Sequence, residues 1–301
     1  MAVDPNQPPF ISIVVPNFNG AATLQRTLCS LLDQKYPRLE LMVCDGGSTD
    51  GSVEIIRRYE SRLAWWCSEK DRGQSDAINK GLKRSTGDVV NWLGSDDVLE
   101  PGSLRLIGEH FGADPKLDVL VGRCRWRNAE TGVTAVDHPT TKGIAALPAG
   151  VPFGQPSCFW RRGIMRNDFP LDESYHYAMD LELWAYFKSR NVTWKVIDQV
   201  LSTFEMSGSN KTSTGGEKII AEVERVYETY CPQRIPMTWW IRHLTYPLDK
   251  WRGRHPGLVS NMAVKGLKMG IYSLLAPFYG WSRLRAMNYS ALVPTKSPES
   301  N

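Results

Sequence analysis

Residues 11–32 read ISIVVPNFNGAATLQRTLCSLL. The run at 11–15 is β-branched apart from Ser12 and is closed by Pro16; a polar loop follows, and then Leu24, Leu28, Leu31 and Leu32 recur at helical spacing. β-Branched runs fit a pleated strand, whereas apolar residues three and four apart form one stripe of a helix. The unit is strand, loop, helix, and the chain repeats it. Residues 39–44 (LELMVC) predict a second strand, 45–51 a turn and 52–59 a helix; 63–67 predict a third strand, 76–83 a helix, and 88–93 (DVVNWL) a fourth strand that runs into Gly94-Ser95-Asp96-Asp97. Later strands are expected at 119–127 and 193–200, and a helix at 179–188. Strands alternating with helices at this spacing predict an α/β protein with a parallel, doubly wound sheet, whose ligands bind beyond the carboxyl ends of the strands. Each polar cluster falls at such an end. No internal repeat is present.

The composition sets the class. Of 301 residues, 42% are apolar and 23% charged, with 36 Lys+Arg against 32 Asp+Glu for a net +4; this is a globular chain, not a disordered or collagen-like one. Six cysteines stand without a CxxC pair, and the first residues, MAVDPNQPP, lack the basic and apolar regions of a signal peptide. A cytoplasmic, reducing compartment without structural zinc or a disulfide framework is expected. No stretch reaches the 18 or so apolar residues of a membrane-spanning helix; the best lies at 269–281.

The charge is unevenly spread. Residues 237–301 hold nine Lys/Arg and two acids, a balance of +7, which leaves 27 basic and 30 acidic residues for 1–236. Nine aromatic residues lie in the same tail, Trp239, Trp240, Trp251 and Trp281 among them. The expected organisation is a catalytic domain at 1–236 and a basic, aromatic-rich, helical extension at 237–301. Such an extension either packs on the core or meets an anionic membrane surface. Nucleic acid is not an expected partner, because the body is slightly acidic and no binding motif accompanies the basic tail.

The strand ends exclude two common chemistries. The first strand-to-helix turn, Pro16-Asn17-Phe18-Asn19-Gly20, has one glycine where a dinucleotide fold needs G-x-G-x-x-G, and no Walker sequence is present. Carboxylates take their place: Asp45 and Asp50 after the second strand, Asp96 and Asp97 after the fourth. Carboxylates do not bind bare phosphate, so an anionic ligand there needs a divalent cation between them. Taken singly, such clusters read first as turn residues and helix caps, which is how most Asp/Ser/Gly clusters serve.

Their order decides. SIVVPNFNG, VCDGGSTDGS, EKDRGQSDAINKGLKRSTGD, NWLGSDDVL and YAMDLELW, in sequence over about residues 10–212, closely resemble the family 2 glycosyltransferases of GT-A fold, whose mostly parallel sheet is Rossmann-like. QPSCFWRR and LDESYHYAMD resemble the bacterial subgroup that assembles O-antigen, capsule and exopolysaccharide. The resemblance implies inverting transfer of a sugar from a nucleoside diphosphate to an acceptor hydroxyl with Mg2+ or Mn2+, UDP being the expected nucleotide. It places Pro16 and Phe18 against the base, Phe18 serving either as a stacking face or as core. Asp45 is the acid that accepts from the base, with Gly46 where relatives carry a second acid. Asp71, Arg72 and Asp76 flank ribose, diphosphate and sugar, and Arg72 is equally suited to a surface ion pair. In the DxD-like Ser95-Asp96-Asp97, Asp97 is the metal ligand and Asp96 lies nearer the ribose or sugar. Asp180 is the general base, Glu182 is structural and Trp184 is core. Gln155 and Arg161 are expected on the acceptor side.

Two departures stand out. Met179 occupies the first position of the family's ED pair, and the stretch Phe204-Glu205-Met206-Ser207-Gly208-Ser209-Asn210-Lys211-Thr212 lacks the His of the related FRxHxxSKT pattern, leaving Lys211 to bring charge from a loop at 207–216 that reads either as a lid or as ordinary surface. The expected partners are a nucleotide-sugar donor and a glycan or lipid-linked glycan acceptor, at the cytoplasmic face of the membrane. A polyprenyl-phosphate acceptor and a catalytically silent nucleotide-sugar-binding scaffold are the competing readings.

Overall fold

The computed structural model describes residues 7–166, 170–207, 211, 216–232 and 237–286. Its first half alternates strictly: β1 (Ile11–Asn17), α1 (Leu24–Leu32), β2 (Leu39–Asp45), α2 (Ser52–Tyr59), β3 (Trp65–Ser68), α3 (Gln74–Arg84), β4 (Val89–Trp92). Then come β5 (Val98–Leu99), α4 (Ser103–Ala113), β6 (Val119–Asn128), β7 (Thr134–Val136), α5 (Thr141–Ala146) and β8 (Cys158–Arg161). The body closes with α6 (Met179–Ser189), β9 (Trp194–Met206) and α7 (Glu217–Tyr230).

Nine strands form one sheet in the order β3-β2-β1-β4-β8-β6-β9-β5, with β7 beside β6. The four strands β3-β2-β1-β4 are parallel, as is the long β6-β9 ladder; β8 runs antiparallel to both of its neighbours. Strand β1 explains why the sheet is covered on both faces. Its odd residues Ile11, Ile13 and Val15 pack with α1, α2 and α4, and Val14 packs on the other face with α3, α6 and α7. A strand buried on both sides reads as a continuous apolar run, as this one does. Because β1 pairs with β2 on one side and β4 on the other, the crossovers diverge there and open a crevice at the carboxyl ends.

Trp92, Trp160, Trp184 and Phe187 fill the space between β4, β8 and α6, with Trp184 stacked at 6.2 Å on Trp92. A half-buried ion pair completes this side: Arg166 donates to both oxygens of Glu182 at 2.9 and 2.5 Å, and the Tyr230 hydroxyl donates to Glu182 Oε1 at 2.5 Å. Glu182 thereby ties α6 to α7. Removing Glu182 leaves the half-buried Arg166 guanidinium and the Tyr230 hydroxyl without their partner, which costs about 1–3 kcal/mol. Glu182→Ala is therefore expected to lower the urea midpoint strongly with an unchanged slope; a midpoint like the wild type's would contradict the burial of this network.

The boundary expected at 236/237 lies outside the described residues. Beyond it run α8 (Met237–Trp240), a five-residue π turn (Ile241–Thr245), α9 (Tyr246–Arg254), α10 (Leu258–Tyr279) and α11 (Trp281–Ala286). Met237, Ile241, Tyr246, Tyr272, Leu275 and Leu284 share one cluster with Ile220 and Tyr227 of α7 and with Ala149. Arg242 pairs with Glu224 at 2.9 Å and Lys250 with Glu217 at 2.6 Å across the same seam. One face of the extension is thus packed on the body.

Candidate active site

Parallel register brings the strand ends level, with Asn17 of β1 opposite Asp45 of β2 and Asp45 opposite Ser68 of β3. The first two loops are laced together: Asn19 N donates to Ser48 Oγ (2.7 Å), Thr49 N to Asn19 Oδ1 (3.0 Å) and Ala21 N to Asp50 Oδ2 (2.8 Å). Asp50 also accepts from Ser52 N and Oγ at the start of α2, which ties this loop to the helix. Pro16 is a buried strand residue, whereas Phe18 is 66% exposed. A side chain at Gly46 would meet Phe18 at 3.3 Å and the Asp71 carboxylate at 2.5 Å. Asp71 therefore puts a carboxylate beside the position where relatives carry a second acid. The sequence holds no local sign of that, since the two residues lie 25 positions apart and on different loops.

Asp45 is 2% exposed, and its carboxylate is already engaged by Asn17 Nδ2 (2.7 Å), Ser48 Oγ (2.5 Å), Ser48 N (2.9 Å), Gly47 N (3.1 Å) and Ser68 Oγ (2.6 Å). Five donors saturate the roughly four lone-pair sites of a carboxylate. Burial acts to raise its pKa, but the donations from Ser48, Ser68 and Asn17 outweigh it and hold the carboxyl below the usual range. Asp45 thus organises the loop between β2 and α2, the loop in which the base contact is expected. Arg72 is 71% exposed at its side chain and pairs with Asp76 (3.0 Å) and Glu173 (2.7 Å). Asp76 also accepts from Arg72 N at 3.1 Å. Of the two readings of Arg72, the structure displays the surface ion pair, and with Asp76 it fixes the entry to α3.

A cleft of about 290 Å3 opens at the end of β4, and Gln74, Asp96, Asp97, Gln155, His176, Asp180 and Lys211 line it. A side chain at Gly94 would meet Asp96 Oδ1 and Asp97 Oδ2, each at 2.8 Å, so the two carboxylates converge over this glycine. Helix α1 holds their loop from below: Thr27 Oγ1 donates to the carbonyls of Ser95 (3.0 Å) and Asp97 (2.7 Å), and Arg26 to that of Asp96 (2.9 Å). Burial, then the Asp96 charge, pushes Asp97 well above the usual carboxylate range. A cation would relieve that repulsion. Among the described residues no cluster of three His, Cys, Asp or Glu could hold a metal alone. Mg2+ commonly uses one or two carboxylates and completes its shell with substrate phosphate and water, and the Asp96–Asp97 pair fits that pattern.

Asp180 sits in the first turn of α6, where its Oδ1 accepts from Leu181 N at 2.7 Å. Burial raises its pKa, opposed by the local N–H groups and by the Lys211 charge. Glu222 of α7 accepts from His176 N (2.9 Å), Tyr177 N (2.7 Å) and Ala178 N (2.9 Å), which fixes the segment that delivers Asp180. Neither Glu222 nor His176 is singled out by the sequence; Glu222 lies on another helix, and His176 lies in no regular element. Most of the 207–216 loop is outside the described residues, but Lys211 reaches Gln74 Oε1 at 3.4 Å. Gln155 lines the cleft and donates to Asn91 Oδ1 (2.9 Å) and Trp92 O (3.0 Å). Arg161 does not join it. It pairs with Val89 at the opposite end of β4, and it donates to the carbonyls of Phe111, Asp114 and Leu117 at the end of α4. Antiparallel β8 carries Arg161 away from the cleft that Gln155 lines.

Known proteins share this architecture. The structure of Staphylococcus aureus TarS residues 1–349 in complex with UDP-GlcNAc aligns with a TM-score of 0.62 at 17% identity, covering 94% of this chain and 90% of that one. The mannosyltransferase PcManGT from Pyrobaculum calidifontis, in complex with GDP-Man and Mn2+, gives 0.59 at 18% identity, covering 95% and 88%. Both show the GT-A fold. In sequence, an uncharacterized glycosyltransferase of Nostoc sp. is 30% identical over 225 residues, 66% of either chain. A poly-beta-1,6-N-acetyl-D-glucosamine synthase of Staphylococcus epidermidis is 32% identical over 120 residues, 39% of this chain and 29% of that one. The matches thus span less than two thirds of these relatives' own length. The profile of Glycosyl transferase family 2 matches residues 12–169, over half of the chain and all four parallel strands that build the crevice, and the chain therefore belongs to that family.

Proposed function

We propose that the protein is an inverting glycosyltransferase of cell-surface glycan synthesis. It transfers a hexosyl or N-acetylhexosaminyl group from a nucleoside-diphosphate sugar to a hydroxyl of a lipid-linked or growing glycan, on the cytoplasmic side of a membrane. The observation that carries this is one cleft in which a converging carboxylate pair, Asp96 and Asp97, faces a separate carboxylate, Asp180, seated at a helix start. Two acids with different surroundings suit two different tasks.

In this reading Phe18 offers its exposed face to the base, with Gly46 leaving room and Asp71 supplying an acceptor. Asp97, with Asp96 beside it, would hold Mg2+ or Mn2+, which when bound would supply positive charge for the departing diphosphate. Lys211 adds charge from the loop, in place of the His that relatives have after the last strand. Asp180 orients the acceptor hydroxyl and takes its proton as the oxygen attacks the anomeric carbon from the face opposite the diphosphate. Glu222 keeps the Asp180 segment fixed, so that little reorganisation is needed at the moment of transfer. The names of two similar proteins, a UDP-GlcNAc complex and a poly-N-acetylglucosamine synthase, favour UDP-GlcNAc as the first donor to try.

A ligand that binds only the folded state raises its melting temperature. UDP-GlcNAc with Mn2+ is expected to shift the transition upward by several degrees at saturating concentration, GDP- and dTDP-sugars less. The shift should vanish in EDTA. No shift with any sugar nucleotide, in folded protein and with either metal, would refute the donor assignment.

A further inference from the structure

Helix α10 has two unlike faces. Val264, Lys268, Tyr272 and Leu275 turn inward; Lys268 pairs at 2.8 Å with Asp249, itself 1% exposed, Tyr272 and Leu275 pack in the extension's core, and Val264 is buried. The other arc carries Leu258 (76% exposed), Val259 (82%), Met262, Leu267, Leu274 (76%) and Phe278 (78%). Gly266 and Gly270 lie on the same arc, and a side chain built on either would meet no atom within 4 Å. Soluble monomers seldom leave so continuous an apolar surface to water.

We infer that this outer arc of α10 is a docking surface for an anionic lipid bilayer, in which the helix lies flat at the headgroup boundary. Three observations select lipid. The 22 residues of α10 include no acid and two lysines. Trp251 and Trp281, 46% and 40% exposed, flank the helix, each beside basic residues: Arg252 and Arg254 at one end, Arg283 and Arg285 at the other. Indole rings and cations at the margins of an apolar helix face are the composition of an interfacial anchor. Finally, none of the described helices is long and apolar enough to cross a membrane, and the inner face of α10 is held by protein, so the helix would lie in the plane of the membrane. A second copy of the chain is a poorer occupant, because a two-fold contact would bring the same basic margins together with no acid between them.

This inference does not depend on the donor chemistry, and its test uses vesicles alone. The full chain is sedimented with phosphatidylcholine vesicles, with or without about one third phosphatidylglycerol. Binding to the anionic vesicles is expected, weaker on neutral ones and weaker at high salt. The double substitution Leu274→Glu/Phe278→Glu should lower the partition coefficient about tenfold or more, since each residue would present a charge to hydrocarbon. All these side chains point to water, so melting temperatures should match the wild type; Val259→Glu/Met262→Glu provides an independent second variant at the other end of the helix. The inference is overturned if the wild type stays with the supernatant, if both folded variants partition like the wild type, or if the lipid-free protein is a dimer that the substitutions split.

Discussion

Asp180→Asn is expected to lower kcat by about 10²–10⁴-fold, the usual contribution of a positioned general base and roughly 3–5 kcal/mol of barrier, with donor affinity near the wild type's. Asn keeps the size and the contact with Leu181 N but cannot take the acceptor's proton. The same substitution should not destabilise the protein. Burial raises the Asp180 pKa, so in the folded state the ionised group costs stability progressively as pH rises from the ordinary carboxylate value through the shifted one. An amide removes that cost at neutral pH. For the same reason the acid limb of the wild-type kcat/KM profile should lie above the ordinary carboxylate range. Lys211→Met, which removes a neighbouring positive charge that favours the carboxylate, should move the limb higher still. Near-normal turnover by the Asn variant would instead point to a phosphate acceptor, whose oxygen needs no base.

The first half of the fold is legible because its signals are local. Each parallel strand is a short apolar run followed by its own turn chemistry, and Ser52–Tyr59 needs no neighbour to be recognised as a helix. β8 is different: Cys158–Arg161 is four residues long, and its direction is set by β4 and β6 on its two sides. The expectation for the acceptor side puts Gln155 and Arg161 together, whereas an antiparallel strand sends them to opposite ends of the sheet. Glu222 is illegible for a related reason. It stands as an ordinary helix acid until tertiary packing brings it to three N–H groups more than forty residues away. The extension's composition displays charge and aromatics, but which face packs and which stays bare follows from contacts with α7.

Asp45 and Asp97 should respond in opposite directions to the same change. Both are acids at the end of a parallel strand, and both are buried, 2% and 3% exposed. Asp45 is saturated by five donors and its pKa is held down; at Asp97 burial and the neighbouring Asp96 carboxylate outweigh the backbone donors Glu205 N, at 3.4 Å, and Gly94 N, and its pKa is driven up. Asp45→Asn turns an amide NH2 toward a set of partners in which Asn17 Nδ2, Gly47 N and Ser48 N can only donate, which should cost about 1–3 kcal/mol for the buried groups left without a partner. Its melting temperature should fall with or without ligand. Asp97→Asn removes a buried charge that repels Asp96, so the metal-free protein should melt a few degrees higher while the stabilisation by donor with Mn2+ disappears. Calorimetry of the two variants, in EDTA and with donor plus Mn2+, checks both signs. A fall in the metal-free melting temperature of Asp97→Asn would mean that Asp97 serves the loop as Asp45 does. A rise coupled to loss of the ligand shift is what a site kept short of donors, for a cation to complete, must give.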